Sequence, residues 1–353
     1  MSRNVDLILK EYDARKSLNE SFSDTLKNLV ERLLFAEGIH IHSISARVKE
    51  RASLKDKLRN KSTPYETLDQ ITDIVGIRII TYYSDDVDKV AEIIQREFII
   101  DHDNSVDKRK NLDPDKFGYM SLHYIVELNN HRTQLLENSA LKGLKSEIQI
   151  RSILQHTWAE IEHDIGYKAT MKIPETVRRQ FSTLAALLEN VDDGFIKIKS
   201  SVAEYASATA MSLENEEEVS IDAISLSDFI HSNSCFREIE TEIAGDLNWT
   251  IEAIDKNMIT HYLDFLDFVS INTINELKQG IESNTDIIKR YAKFYINSKN
   301  RDPFTPKGFS IYYYAHTVAF KGKSEVDIIA FGDRFALQGG GKAYLQMLTK
   351  FEV

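Results

Sequence analysis

Three features in the first half of the chain have the residue types of a site for a polyphosphate and a base. Residues 47–61, RVKERASLKDKLRNK, hold seven Lys or Arg against two acids, a local balance of +5 that supplies cations for several phosphates. Asp73 and Glu147 stand at the starts of two separate predicted strands, where a pair of carboxylates can share one hard divalent ion. Tyr119, in the stretch GYMSLHY, offers an aromatic face for a base. Each feature alone has a plain alternative: a solvated helix face, a turn residue, loop punctuation. Together they describe a nucleotide.

The strand patterns say which side chains line such a site. From Ser121 to Leu128 the residues alternate, with Ser121, His123, Ile125 and Glu127 on one side and Leu122, Tyr124, Val126 and Leu128 on the other. The second side belongs in a core, which leaves Ser121 and His123 on the opposite side. In KSEIQIR, residues 145–151, Ile148 and Ile150 alternate with Glu147, Gln149 and Arg151, which puts a carboxylate, an amide and a guanidinium in a row beside metal and phosphate. Asp73 and Arg78 are five residues apart and would point to opposite faces of a regular strand. Either Gly76 marks a bulge or Asp73 precedes the strand.

A competing site lies on the predicted helix 151–168, where His156, Glu160 and His163 recur at i, i+4 and i+7 and have the types of zinc ligands. The favoured reading has these histidines, opposite a seam of Leu154, Trp158, Ile161 and Ile165, bonding to neighbouring strands or touching substrate. The chain contains no Gly-x-Ser-x-Gly elbow and no Walker phosphate loop, which sets hydrolase and P-loop chemistry aside.

The elements that must position these residues read as follows. The 353 residues, 42% of them apolar, suffice for two or three domains. A packed helix is predicted at 21–38, a buried strand at 71–83, a helix at 85–98 and a polar loop at 101–116. The strands at 121–128 and 145–151 follow, then the helix 151–168 and another at 175–199. The fold class is α+β, a mixed sheet flanked by helices. Residues 206–220 lose periodicity and gain acid, which predicts a linker. Beyond it, two or three helices are expected between 222 and 298, then a hairpin over 308–331 turning at Lys321-Gly322-Lys323. Tyr312, Tyr313 and Tyr314 are expected to pack as strand residues in a small core, the alternative being that they plug a nucleotide site or bind a partner.

Cys235 is the sole cysteine, which excludes an internal disulfide and a thiolate metal cluster. The formal charge of −11 argues against generic attraction to nucleic acid or anionic lipid. No apolar run reaches the ~18 residues of a membrane span, and MSRNVDLILKEYDARK is too charged for the core of a signal peptide, so a cytoplasmic protein without a membrane partner is expected.

RVKERASLKDKL, DIVGIRII, GYMSLHY and EIQIRSILQHTWAEIEHDIGYK, in that order, resemble the synthetase domain of the RelA/SpoT family, as found in small and toxic small alarmone synthetases. The resemblance spans about residues 20–195. It implies a nucleotidyltransferase-like domain over 1–205, a linker over 206–220 and an accessory regulatory or antitoxin-like domain over 221–353. It also implies a pyrophosphokinase that moves the terminal diphosphate of ATP to a 3'-hydroxyl and releases AMP. On that resemblance Asp73 and Glu147 are the Mg2+ pair, with Glu147 also a candidate proton acceptor. Arg47 and Arg78 sandwich adenine, and Lys49, Ser53 and Lys57 complete the ATP site. Tyr119, Ser121, His123, Gln149, Arg151 and His156 bind the acceptor.

The chain departs from the family in three places. Only about 40 residues precede the basic run, and His102-Asp103 lies inside the synthetase region, so hydrolysis of the product is not expected. Pro114-Asp115-Lys116-Phe117 replaces the family's Pro-Lys-Pro-Asn before Gly-Tyr. Lys108-Arg109-Lys110 adds a basic cluster, which is either a solvated loop or a contact for nucleic acid. Two acceptors therefore fit. GDP or GTP would yield the alarmone (p)ppGpp; the 3' CCA end of tRNA would make the chain a fused toxin-antitoxin enzyme of phage defence, with Lys108, Arg109, Lys110, Arg178 and Arg179 as tRNA contacts. The carboxy-terminal domain would then inhibit the enzyme or sense a protein trigger or ligand. A third reading is a catalytically silent nucleotide-binding protein. Oligomeric state has no marker in the sequence.

Overall fold

The computed structural model describes residues 2–60, 65–107, 121–168, 174–254, 256–297, 304–321, 324–335 and 339–351. The chain divides into two compact units, Met1–Ser200 and Ser201–Val353.

In chain order the first unit contains α1 (Ser2–Ala14), α2 (Lys16–Ala36), β1 (Ile41–Val48), α3 (Arg51–Asn60), β2 (Val75–Thr81), α4 (Asp85–Glu97), β3 (Phe98–Asp107), β4 (Leu122–Leu128), α5 (Asn130–Thr133), β5 (Ser146–Ser152), α6 (Ile153–Lys168) and most of α7 (Glu175–Glu214). The strands form one five-stranded mixed sheet in the order β1-β2-β5-β4-β3, with β2 and β5 parallel and the other neighbours antiparallel. Strict alternation in β5 buries Ser146, Ile148, Ile150 and Ser152 and turns Glu147, Gln149 and Arg151 to the other face. In β2, Val75, Ile77 and Ile79 go inward with them, against Phe22, Leu26 and Val30 of α2 and Val90 and Ile94 of α4. Burying each such side chain contributes about 1.5–3 kcal/mol, so a one-residue slip of either central strand is excluded.

Of the two readings of Asp73 the second holds: it lies in the turn ahead of β2, and pairing runs regularly through Gly76 with no bulge. Other expectations are corrected. The first half of the predicted 101–116 loop belongs to β3, a polar edge strand whose register breaks between Asp101 and Val106; residues 108–116 lie outside the described residues. β1 was not anticipated. The helix expected at 175–199 continues to Glu214, so residues 206–214 of the predicted linker are helical; SATAMSLE lacks an apolar period but has good intrinsic helix formers. The second half of the α6 seam is open, with Ile161 and Ile165 half-exposed.

The second unit is a helical bundle: α8 (Ala223–Ser232), α9 (Ser234–Leu247), β6 (Thr250–Glu252), α10 (Lys256–Phe268), α11 (Ile274–Ser283), α12 (Thr285–Asn297), β7 (Phe304–Pro306), α13 (Phe309–Phe320), α14 (Glu325–Arg334) and α15 (Gly340–Leu348). The predicted hairpin at 308–331 is instead the helix pair α13–α14. Ile311, Ala315 and His316 are fully buried and Tyr313 and Thr317 nearly so, because α13 runs through the core of the unit. A helix buried on most sides carries an unbroken apolar run, which periodicity cannot separate from a buried strand. Ser324 and Asp327 form a reciprocal capping box that starts α14. Tyr312, Tyr313 and Tyr314 pack in this core, as expected, but from a helix; Tyr312 donates to Tyr295 Oη at 3.0 Å.

Candidate active site

The site forms on the sheet face opposite α2 and α4. Asp73 in the turn before β2, Gly76 and Arg78 on β2, Ser45 and Arg47 on β1, and Glu147 and Gln149 on β5 line one cavity of about 90 Å3. The register accounts for the grouping: Arg47 pairs with Gly76, Gly76 with Glu147, and Arg78 with Gln149. A Cβ at Gly76 would sit 3.7 Å from Arg47 Nε, so the glycine is the floor over which that guanidinium lies.

Asp73 is held by cations of the chain. Its Oδ2 lies 2.8 Å from Lys57 Nζ and 3.1 Å from Lys49 Nζ. Its Oδ1 is buried without a hydrogen-bond partner. Lys49 follows β1, and its backbone N–H donates to Ile74 O at 2.8 Å, which ties the lysine to the turn carrying the carboxylate. Lys57 stands in the last turn of α3, where cations complement the helix dipole.

Glu147 receives Gln149 Nε2 at 2.8 Å on one oxygen and pairs with His123 Nδ1 at 2.8 Å through the other; His123 Nε2 in turn lies 2.6 Å from Ser121 Oγ. Burial works to raise the Glu147 pKa, but the His123 and Gln149 hydrogen bonds and the nearby Lys57 charge outweigh it, carrying the group down to about 2. These partners favour the carboxylate form of Glu147, which suits it to holding a cation.

On the α6 side, Arg78 Nη1 pairs with Glu160 Oε1 at 3.0 Å. Burial, then the Arg78 charge, lowers both the Arg151 and His156 pKa values. Arg151 Nε and His156 Nδ1 are buried without hydrogen-bond partners, and His156 Nδ1 lies 3.7 Å from Glu160 Oε1. Ser53 is exposed on α3, and Arg178 and Arg179 are exposed in the first turn of α7. Tyr119 and the Lys108-Arg109-Lys110 cluster lie outside the described residues. Sequence reasoning missed Ser45, whose two-residue spacing from Arg47 was the available signal, and missed Glu160 as the partner of Arg78.

Among the described residues no group of three or more His, Cys, Asp or Glu is arranged to hold a metal. Asp73 and Glu147 make a two-carboxylate set, and Mg2+ is ordinarily bound by one or two carboxylates with substrate phosphates and water completing the octahedron. The buried, unpartnered Asp73 Oδ1 fits such an ion. No helix among the described residues is long and apolar enough to cross a membrane.

Residues 46–172 match a family model described as the region found in RelA / SpoT proteins. GTP pyrophosphokinase YwaC of Bacillus subtilis (strain 168) is 31% identical over 167 residues, covering 46% of this chain and 75% of the relative. GTP pyrophosphokinase YjbM of the same organism is 29% identical over 188 residues, 50% of this chain and 81% of the relative. Among solved structures, the small alarmone synthetase 1 from Bacillus subtilis matches with a TM-score of 0.47 and 27% identity, over 55% of this chain and 98% of that one.

Proposed function

The chain belongs to the RelA/SpoT family and is a pyrophosphokinase, and on that premise we propose that it transfers the terminal diphosphate of ATP to the 3'-hydroxyl of GDP or GTP, forming (p)ppGpp and releasing AMP. The observation that carries the reading is the cavity lined by Asp73, Glu147, Arg47 and Arg78, with Lys49 and Lys57 on Asp73. In the reaction the acceptor 3'-oxygen forms a bond to the β-phosphorus of ATP while the bond from that phosphorus to the α,β-bridging oxygen breaks; the bridging oxygen leaves on AMP, and the 3'-hydroxyl proton passes to solvent or to the AMP phosphate. Such a transfer asks the protein for alignment and charge neutralisation more than for covalent chemistry.

Position on the cavity supports the following roles. Asp73 and Glu147 would hold Mg2+, which would supply positive charge against the negative charge that develops on the phosphates. Lys49 and Lys57 reach the donor phosphates, and Arg47 and Arg78 lie on neighbouring strands with guanidinium planes for adenine. Ser121, His123, Gln149 and Arg151 serve the acceptor side, where His123 is oriented by Glu147. Residues 201–353 act as an accessory unit.

A tRNA 3' end is the second acceptor reading, favoured by the exposed Arg178 and Arg179. Purified protein is incubated with ATP labelled on its terminal phosphate and with GDP, GTP and deacylated tRNA in parallel. Label is expected on GDP and GTP; label on tRNA alone would replace the first reading by the second, and transfer to none would support the silent one.

A further inference from the structure

The two carboxylates assigned to the metal are already engaged by the chain itself. Three of their four oxygens have partners: Asp73 Oδ2 carries both lysine ammonium groups, and Glu147 meets His123 and Gln149. Only Asp73 Oδ1 has none. Two positive charges thus converge on one negative one. A dication approaching Asp73 meets two ammonium groups within a few ångströms, in a partly buried site where screening is weak.

The same lysines face a better anion once a nucleotide is present. A triphosphate carries more negative charge than one carboxylate and spreads it over several oxygens. Lys49 and Lys57 reach Asp73 from different elements, the end of β1 and the last turn of α3, on flexible unbranched stems that can turn without backbone movement. Resting on the reading of Asp73 and Glu147 as the metal pair, we propose that Lys49 and Lys57 form an exchangeable lock on Asp73: the donor triphosphate draws both ammonium groups away, and Asp73 accepts a divalent cation only with the nucleotide or after it. Among the described residues no third carboxylate, His or Cys joins Asp73 and Glu147, and phosphate oxygens would add ligands for a hard dication, which favours the same order. Metal and nucleotide binding are then coupled, and each strengthens the other by the same factor.

The test uses the full-length chain with Mn2+ alone as probe, following loss of the free-ion paramagnetic resonance signal. The Lys49→Met/Lys57→Met double variant should bind Mn2+ without nucleotide at least about tenfold more tightly than the unaltered chain, a change of about 1.4 kcal/mol. Lys57→Met alone should move the same way by less, and Lys57→Arg, which keeps the charge, should not move. Equal Mn2+ affinity in the double variant and the unaltered chain overturns the lock, as does a gain in Lys57→Arg matching that of Lys57→Met. Failure of the underlying metal reading has its own signature. With a non-hydrolysable ATP analogue present, Asp73→Asn must change the bound Mn2+ spectrum; an unchanged spectrum removes Asp73 from the metal whatever the lysines do.

Discussion

Asp73 and Glu147 are both carboxylates on one cavity, yet their surroundings give them different tests. Asp73→Asn keeps the shape and removes the charge that holds two lysines. Transfer to any acceptor should fall at least about a thousandfold with an unchanged far-ultraviolet circular dichroism spectrum; retained turnover would end its role as a ligand. Glu147 has a pKa of about 2 against an ordinary 4.5, so its contribution to stability is complete above pH 4.5 and is lost as pH falls towards 2. Between pH 6 and pH 3 the unaltered chain should lose on the order of 2 kcal/mol more than Glu147→Gln by urea unfolding. Arg78 depends on its neighbour across the cleft: with Glu160→Gln the 3.0 Å ion pair goes and the guanidinium is less well placed. The KM for ATP should rise about two- to fivefold with little change in kcat.

At the scale of elements, what was legible depended on whether an apolar period survived in one face. β2, α4, β5 and α6 were legible because isoleucine and valine repeat at two or at three to four residues. β3 was not, because an edge strand needs no apolar face and FIIDHDNSVD is polar beyond its third residue. β1 was missed although IHSISARV alternates: Ile44, Ala46 and Val48 pack against the core, and Ser45 and Arg47 fall on the other side. The carboxylates and lysines of the site were readable from residue type, whereas the Arg78–Glu160 pair depends on how α6 meets β2, which no local pattern encodes. α13 was misread because its core position removes the polar face that marks a helix. Its start is set from a distance: Glu240 on α9, almost fully buried, accepts Gly308 N–H and Ser310 N–H at 3.0 Å and Ser310 Oγ at 2.8 Å. Gly308 has φ +92°, and a Cβ there would come within 2.5 Å of Tyr262 Cε2. Glu240→Ala should therefore cost about 3 kcal/mol in denaturant unfolding, since buried donors lose their acceptor; a loss under about 1 kcal/mol would show that α13 starts without that carboxylate.

For the whole molecule, most of the described buried apolar residues fall into two clusters with no member in common, Ile80, Ile125, Ala185 and Ile287 lying in neither. One runs from Ile8 to Ile150 and contains the sheet; the other runs from Val219 to Leu348 and contains the bundle. Each cluster is large enough to unfold cooperatively on its own, so scanning calorimetry should resolve two transitions rather than one. The assignments can be made independently. On the proposed reading a non-hydrolysable ATP analogue with Mg2+ would bind the folded first unit, and it should then raise one transition, by mass action, and leave the other in place. Glu240→Ala should lower the transition that the nucleotide does not move. If both perturbations shifted one shared transition, the two cores would be unfolding as a single cooperative body, and residues 201–353 would be part of the stability of the catalytic unit and not merely attached to it.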